Sequence, residues 1–238
     1  MKLICVFFLV PLFATASCSQ VTTEEKSEIA TAIINAIASL ANPNDKAFKC
    51  TYGVLNETVR MVVDSYFDDS LKDPVERIKN FFKLLDLDYT YIDISLSWCP
   101  DGELKSIVTQ LIDPMKYARK NVKVLQESVP CIVKAESENG RCISKECNNP
   151  DFDPRLLNPL YVFVQQDMTP DQLIPICSYA KCTSECGRLT SSKLGCSEES
   201  INAYYEWIQR QFRAFEKYYL MKNKISEDKL PKECQLML

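Results

Sequence analysis

The sequence predicts an all-α fold, namely a disulfide-stapled bundle of about six antiparallel helices. Glycine is scarce, with 5 residues in 238, and this disfavours the positive-φ turns that join short β-strands. Apolar residues recur at intervals of three and four along most of the chain, which is the spacing of one helix face. Cysteine is abundant, at 12 residues, and such a set is expected to pair in an oxidising compartment.

The N-terminus is typical of a secretory signal peptide. Lys2 gives a positive start, Leu3–Phe13 is apolar without a charge, and Ala14 and Ala16 are small residues at the positions that signal peptidase reads. The alternatives are a buried N-terminal helix or a retained anchor, but the run is shorter than the ~20 residues that span a bilayer. We therefore expect a secreted, extracellular protein without a membrane span.

The cysteine count bears on the cleavage site. Cleavage after Ala16 leaves an odd number of cysteines, whereas cleavage after Cys18 leaves an even one. We expect a signal peptide over residues 1–18, cut after Ala16 or Cys18, and a single helical domain over 19–238. The expected disulfide cysteines, whose pairing the spacing does not fix, are Cys50, Cys99, Cys131, Cys142, Cys147, Cys177, Cys182, Cys186, Cys196 and Cys234.

The first predicted helix runs from Thr23 to Ala41. Thr22 and Glu25 have the spacing of a capping box, in which each side chain accepts a hydrogen bond from the backbone of the other. Isoleucine and leucine form one stripe along this segment, at positions 29, 33, 34, 37 and 40. The sequence Asn42-Pro43 ends it.

Two further helices are predicted before residue 90. One covers Val54 to Phe67, where valine, leucine and tyrosine side chains share a face. The next begins with Asp73 as its N-cap and Pro74 in its first turn, which helices favour. Its apolar stripe runs from Val75 to Leu85.

The middle of the chain gives mixed signals. Tyr89–Trp98 is strand-like because its apolar and polar residues alternate, although a helix or an extended linker is equally compatible. A long helix is predicted from Asp101 to Leu125, kinked at Pro114. Residues 129–167, with three cysteines and four prolines, are predicted to form a stapled loop region.

Two helices are predicted in the last third. Thr169 and Gln172 flank a first-turn proline and suggest a capping box at the start of a helix that carries three cysteines. The final helix is predicted from Glu198 to Met221. Its apolar stripe steps by four and three, which indicates a packing seam, through Ile201, Tyr205, Ile208, Phe212, Phe215 and Tyr219.

The residue types present disfavour catalysis. Histidine is absent, and it is the residue most used for acid–base chemistry at neutral pH and the commonest ligand of catalytic zinc. The spacings among Cys177, Cys182 and Cys186 are not those of a zinc ribbon. We therefore expect no enzyme activity, cofactor or metal. A histidine-free hydrolase would need two carboxylates across a cleft, and the paired acids are Asp68 with Asp69, Asp151 with Asp153, and Glu198 with Glu199.

Charge and motifs limit the partners. The net charge of −4 disfavours nucleic acid, which requires a basic surface to replace counterions. Asn56 begins the sequence Asn-Glu-Thr and is a candidate N-glycosylation site in a secreted protein. The aromatic stripe from Tyr205 to Tyr219 could line a cavity for a lipid or another small apolar ligand. A carrier of such ligands is therefore the alternative function.

The C-terminal third resembles the chondroitin proteoglycan 4 domain of nematodes, over residues 175–234. The resemblance rests on three cysteines spaced by five and four, a fourth before a long amphipathic helix, and a fifth in Leu-Pro-Lys-Glu-Cys, namely Cys177, Cys182, Cys186, Cys196 and Cys234. It implies a secreted, non-catalytic extracellular-matrix or interaction module with an unknown protein or glycan partner. Chondroitin is attached at Ser-Gly sites, and the chain contains none, so the expected protein lacks that attachment.

Overall fold

The computed structural model describes residues 22–67, 73–147 and 169–235. These residues form nine α-helices and contain no strand, so the predicted all-α class is confirmed. None of the helices described there is long and apolar enough to cross a membrane. The helices are α1 Thr23–Ala38, α2 Phe48–Tyr66, α3 Pro74–Trp98, α4 Glu103–Leu111, α5 Asp113–Lys120, α6 Val122–Glu146, α7 Pro170–Lys193, α8 Glu198–Asn223 and α9 Lys232–Gln235.

Local capping signals place the starts of α1 and α3. The Thr22 hydroxyl accepts a hydrogen bond from the Glu25 backbone at 3.2 Å, and the Glu25 carboxylate accepts one from the Thr22 backbone at 2.8 Å. Asp73 accepts one from the Val75 backbone at 3.0 Å. Both predicted caps are confirmed. The side chain of Gln172 and the predicted signal peptide lie outside the described part of the chain.

The interpretation of Tyr89–Trp98 as a strand is wrong, because this stretch is the second half of α3. Ile92 is 1% exposed and Ile94 is 54% exposed, so the alternating apolar residues lie on opposite sides of a helix. Those on the inner side continue the core face of the helix at intervals of three and four. No proline or glycine interrupts the helix between Pro74 and Pro100.

The predicted helix from Asp101 to Leu125 is divided into three pieces. The backbone torsions depart from helical values at Ile112 (ψ 6°), between α4 and α5, and at Asn121 (φ −119°, ψ 16°), between α5 and α6. Pro114 therefore does not kink a helix interior. It lies in the first turn of α5, where its missing N–H has no helical partner to lose.

The predicted loop over 129–167 is wrong for residues 129–146, which continue α6. Pro130 is exposed and lies within the helix. The buried side chains of α6 recur at helical spacing through Leu125, Val129, Ile132 and Ala135. The cysteines and the proline of this segment were therefore wrongly interpreted as evidence for a loop. Residues 148–168 lie outside the described part of the chain.

Five disulfides staple the described helices, and they use all ten expected cysteines. Two of them join α6 to α7 side by side, with 3.9 Å between the sulfurs of Cys147 and Cys186. The others join α2 to the end of α3, α6 to the residues before α8, and α7 to α9. The pairs are Cys50–Cys99, Cys131–Cys196, Cys142–Cys186, Cys147–Cys182 and Cys177–Cys234.

The core has two parts that meet at α8. One part lies among α1, α2, α4 and the second half of α3. The other lies among α6, α7 and the predicted stripe of α8, whose six residues are all buried. Gly187 of α7 permits close packing there, because a β-carbon at this position would lie 2.8 Å from the ring of the buried Tyr205.

Candidate ligand-binding cavity

An apolar cavity of about 140 Å³ lies where α1 to α5 approach α8. Aliphatic side chains such as Val59, Leu85 and Val108 form most of its wall, and the ring of Trp207 closes part of it. Trp207 is held by Phe82, whose ring packs edge-on with centroids 4.8 Å apart. The wall is thus built from side chains that the surrounding core fixes in place.

The helix periodicity explains which side chains reach the cavity. On α8 the wall is formed by Trp207, Gln211, Ala214 and Tyr218, which are spaced by four, three and four and therefore share one face. This face is next to the predicted stripe from Tyr205 to Tyr219 rather than part of it. Ala214 contributes only a methyl group between larger neighbours, and this leaves space beside the helix.

The cavity is large for a natural core, where most voids barely exceed one water molecule. Engineered apolar cavities of nearly this size stay dry and bind benzene or xenon. The space is therefore suited to an apolar molecule about as large as benzene.

Two polar side chains interrupt this lining. Thr58 of α2 and Gln211 of α8 are 6% and 5% exposed, and both line the cavity. The Thr58 hydroxyl and the Gln211 amide nitrogen have no hydrogen-bond partner among the described residues. Sequence reasoning named Thr58 only as part of the Asn56 sequon and did not single out Gln211. The available signal was a glutamine on an otherwise apolar helix face.

Besides Asp88, whose pKa burial raises to about 6, two buried carboxyl groups lie outside the cavity wall. Burial raises the pKa of Glu136 well above its usual value, although the hydroxyl of Tyr204 donates a hydrogen bond to it at 2.9 Å. Burial also raises the pKa of Glu216 to about 8. Neither oxygen of Glu216 has a hydrogen-bond partner in the described structure. Both carboxyl groups therefore favour the protonated form.

Of the carboxylate pairs considered for a hydrolase, the structure describes Glu198 with Glu199, and only Glu199 lines a pocket, an open one that it shares with Glu206. Glu198 and Glu199 are exposed in the first turn of α8, where acids interact favourably with the helix dipole. The pairs at 68–69 and at 151 and 153 lie outside the described residues. The cavity wall itself contains no carboxylate among the described residues.

The cysteines considered for zinc belong to three different disulfides. Cys177, Cys182 and Cys186 are bonded to partners on α9 and α6. Zinc is bound by thiolates, and a sulfur in a disulfide is not a thiolate. In this oxidised state these cysteines serve as staples.

The N-glycosylation candidate lies on α2. Asn56 is partly exposed and accepts a hydrogen bond from Arg60 at 3.3 Å, whereas Thr58 of the same sequon is buried at the cavity. A glycosylating enzyme must reach both residues, so attachment would have to precede folding of α2. Glycosylation of Asn56 stays a prediction.

The stretch that resembles the chondroitin proteoglycan 4 domain is not an independent disulfide unit. Cys177 pairs with Cys234 inside this stretch, but the three cysteines between them pair with α6 upstream of it. Residues 175–234 therefore depend on α6 for most of their staples. Comparison of the chain with protein-family models, curated proteins and solved structures finds no match, so the resemblance stays a prediction.

Proposed function

We propose that this protein is an extracellular, non-catalytic carrier that holds a small apolar molecule in the cavity between α1 to α5 and α8. The observation that carries the proposal is the cavity itself, about 140 Å³ lined almost entirely by aliphatic and aromatic side chains. Such a lining favours binding through the hydrophobic effect. Its described acids, bases and nucleophiles are limited to the Thr58 hydroxyl and the Tyr218 phenol, whose pKa burial raises to about 12, and the chain has no histidine.

The sequence and the staples support the extracellular part of the proposal. The leader has the order of a secretory signal, and five disulfides are typical of an oxidising compartment. The Cys50–Cys99 staple also suits a carrier, because it joins α2 to the end of α3, and both helices contribute to the cavity wall.

Tryptophan fluorescence offers a direct test. The chain has two tryptophans: Trp98 is 84% exposed, and Trp207 is 5% exposed at the cavity. Trp98→Phe therefore leaves one reporter at the site. We expect benzene and toluene to change its emission saturably and to raise the melting temperature, since a ligand that binds only the folded state stabilises it.

Filling the cavity should abolish this binding. Ala214→Leu places three further carbons in the space, so we expect at least a tenfold loss of toluene affinity and a gain of about 1 kcal/mol in the stability of the free protein. Ala32→Leu is the matched control, because Ala32 is partly exposed on α1 and does not line the cavity. A folded Trp98→Phe protein whose emission shows no saturable response would contradict the carrier function.

We propose a second candidate function, the interaction module, on a separate observation. The outer face of α3 exposes four large apolar residues, at spacings of four, three and four: Leu87, Tyr91, Ile94 and Trp98. Exposed apolar patches of this kind mark interaction surfaces. The heptad-like spacing is self-complementary between antiparallel helices, so the occupant we propose is a second copy of the chain.

Self-association can be measured by sedimentation and light scattering. We expect the wild-type chain to dimerise, and Ile94→Lys to dissociate the dimer by placing a charge in the middle of the apolar face. Asn35→Lys is the control, since it adds the same charge at an exposed position of α1. A wild-type chain that stays monomeric at its highest soluble concentration would exclude this role for α3.

A further inference from the structure

We infer that the ligand is a neutral carbonyl compound, such as a small ketone, aldehyde or ester, rather than a hydrocarbon or a fatty acid. This inference rests on the proposed carrier function and specifies its ligand. It is carried by the Thr58 hydroxyl and the Gln211 amide nitrogen, which line an otherwise apolar cavity and have no partner in the described structure.

Both groups are buried and both can donate a hydrogen bond. Thr58 and Gln211 are more than nine-tenths buried, and buried polar groups are almost always hydrogen-bonded. The amide nitrogen of glutamine is a donor only, whereas the threonine hydroxyl donates or accepts. An unoccupied donor at an apolar cavity is satisfied by an acceptor on the molecule that fills it. A carbonyl oxygen is such an acceptor.

The charge of the wall decides between neutral and ionised ligands. No lysine or arginine is found among the described residues that line the cavity. A carboxylate buried there would lack a counter-ion, and burying an unpaired charge is far more costly than burying a neutral carbonyl. The wall therefore selects a neutral acceptor on an apolar body. The volume of about 140 Å³ limits that body to roughly the size of a six-membered ring.

A matched ligand pair tests the inference. Cyclohexanone and methylcyclohexane have similar sizes and the same number of non-hydrogen atoms, but only the ketone has an acceptor. Their dissociation constants are measured with Trp98→Phe and with the same protein carrying Gln211→Met or Thr58→Val. The ratio of the two constants is compared between proteins, because this comparison cancels the different solubilities of the ligands.

Each polar substitution should shift this ratio about five- to tenfold against the ketone, which is the effect of one lost hydrogen bond. Met115→Leu is the control, since it reshapes the apolar wall and should change both affinities alike. Thr58→Val should also raise the melting temperature of the free protein, because it removes an unsatisfied buried hydroxyl.

The outcomes separate the two proposals. If both ligands bind saturably and the polar substitutions leave the ratio unchanged, the carbonyl inference is overturned while the carrier function stands. If neither ligand binds the folded protein, the carrier function fails and the inference fails with it. A ratio that shifts for Gln211→Met or Thr58→Val but not for Met115→Leu supports both.

Discussion

Replacing Cys131 and Cys196 together with alanine should lower the free energy of unfolding by about 3.5 kcal/mol. These cysteines have the longest separation among the five described pairs, 65 residues, but the intact Cys142–Cys186 bridge lies inside this loop and leaves only the segments 131–142 and 186–196 for the pair to close. In the chain-entropy account, a longer closed loop restricts the unfolded chain more and therefore stabilises the folded state more. Urea denaturation of both proteins under oxidising conditions measures the difference, with an unchanged slope indicating that both still unfold in one step.

The Cys147–Cys182 pair provides the comparison. It lies beside Cys142–Cys186, and the sulfurs of Cys147 and Cys186 are 3.9 Å apart. Because the neighbouring bridge already joins the same two helices, removing this pair opens only a short additional loop. We expect a loss of about 3 kcal/mol or less. If this pair instead costs more than Cys131–Cys196, loop closure does not determine how the staples stabilise this protein.

The starts of α1 and α3 were predictable because their causes are local, whereas α2 begins at Phe48, before the predicted Val54, and has no capping side chain. The capping residues Thr22 and Asp73 act on backbone groups two or three residues away, so the sequence contains the whole interaction. The stripe of α8 from Ile201 to Tyr219 was likewise predictable, since helical spacing alone places these side chains on one face. Its burial followed from its apolar character.

The second half of α3 and the middle of α6 were not predictable in the same way. Ile92 and Ile94 alternate with polar residues as in a strand, but in α3 one faces the core and the other faces outward. Only the packing around the helix distinguishes these readings. In α6, Cys131 and Pro130 suggested a loop, whereas the bonded partner of Cys131 lies 65 residues further on.

The cavity depends on how far apart six helices lie, and no short stretch of the sequence determines those distances. Ala214 and Gln211 become notable only because α2 and α3 leave space opposite them. The pairing of the ten cysteines could not be predicted for a similar reason, since their spacing in the sequence does not fix which cysteines are bonded. The sequence did indicate that α8 is one of the helices that form the site.

The free energy of unfolding should decrease as the pH rises from about 5 to about 8, and Glu216 should be the main cause. Burial raises the pKa of this carboxyl from 4.5 to about 8, and its side chain is 2% exposed. The folded protein therefore keeps a proton that the unfolded chain releases near pH 4.5. Stability is highest below the unfolded pKa and is lost as the pH rises through the folded one.

The groups around Glu216 agree with this direction. Arg213 lowers its pKa and Glu227 raises it, but desolvation exceeds both effects. The nearby sulfurs of Cys177 and Cys234 form a disulfide and do not titrate. The chain has no histidine, so no imidazole contributes an opposing slope in this pH range. Asp88, whose pKa burial raises to about 6, and Glu136 act in the same direction.

Glu216→Gln isolates the contribution of this residue, because the amide keeps the shape of the carboxyl and cannot ionise. At pH 5 the variant and the wild type should have similar stability. At pH 8 the variant should be more stable by a few kcal/mol, since its unfolded chain gains nothing from releasing a proton. Chemical denaturation at both pH values, with the exposed Glu198→Gln at the start of α8 as the control, measures this difference.

A wild-type stability that increases between pH 5 and pH 8 would contradict the assignment, because a buried carboxyl with a raised pKa acts only in the other direction. If the free energy of unfolding still decreases by the same amount in Glu216→Gln, then Glu136 or Asp88 causes the decrease. Glu136→Gln then distinguishes these two, because it removes the titration of Glu136 and leaves that of Asp88. The two carboxyl groups lie in separate places, since Glu136 accepts a hydrogen bond from Tyr204 and Asp88 accepts one from Ser65. The slope of stability against pH thus reports which buried carboxyl releases its proton when the bundle unfolds.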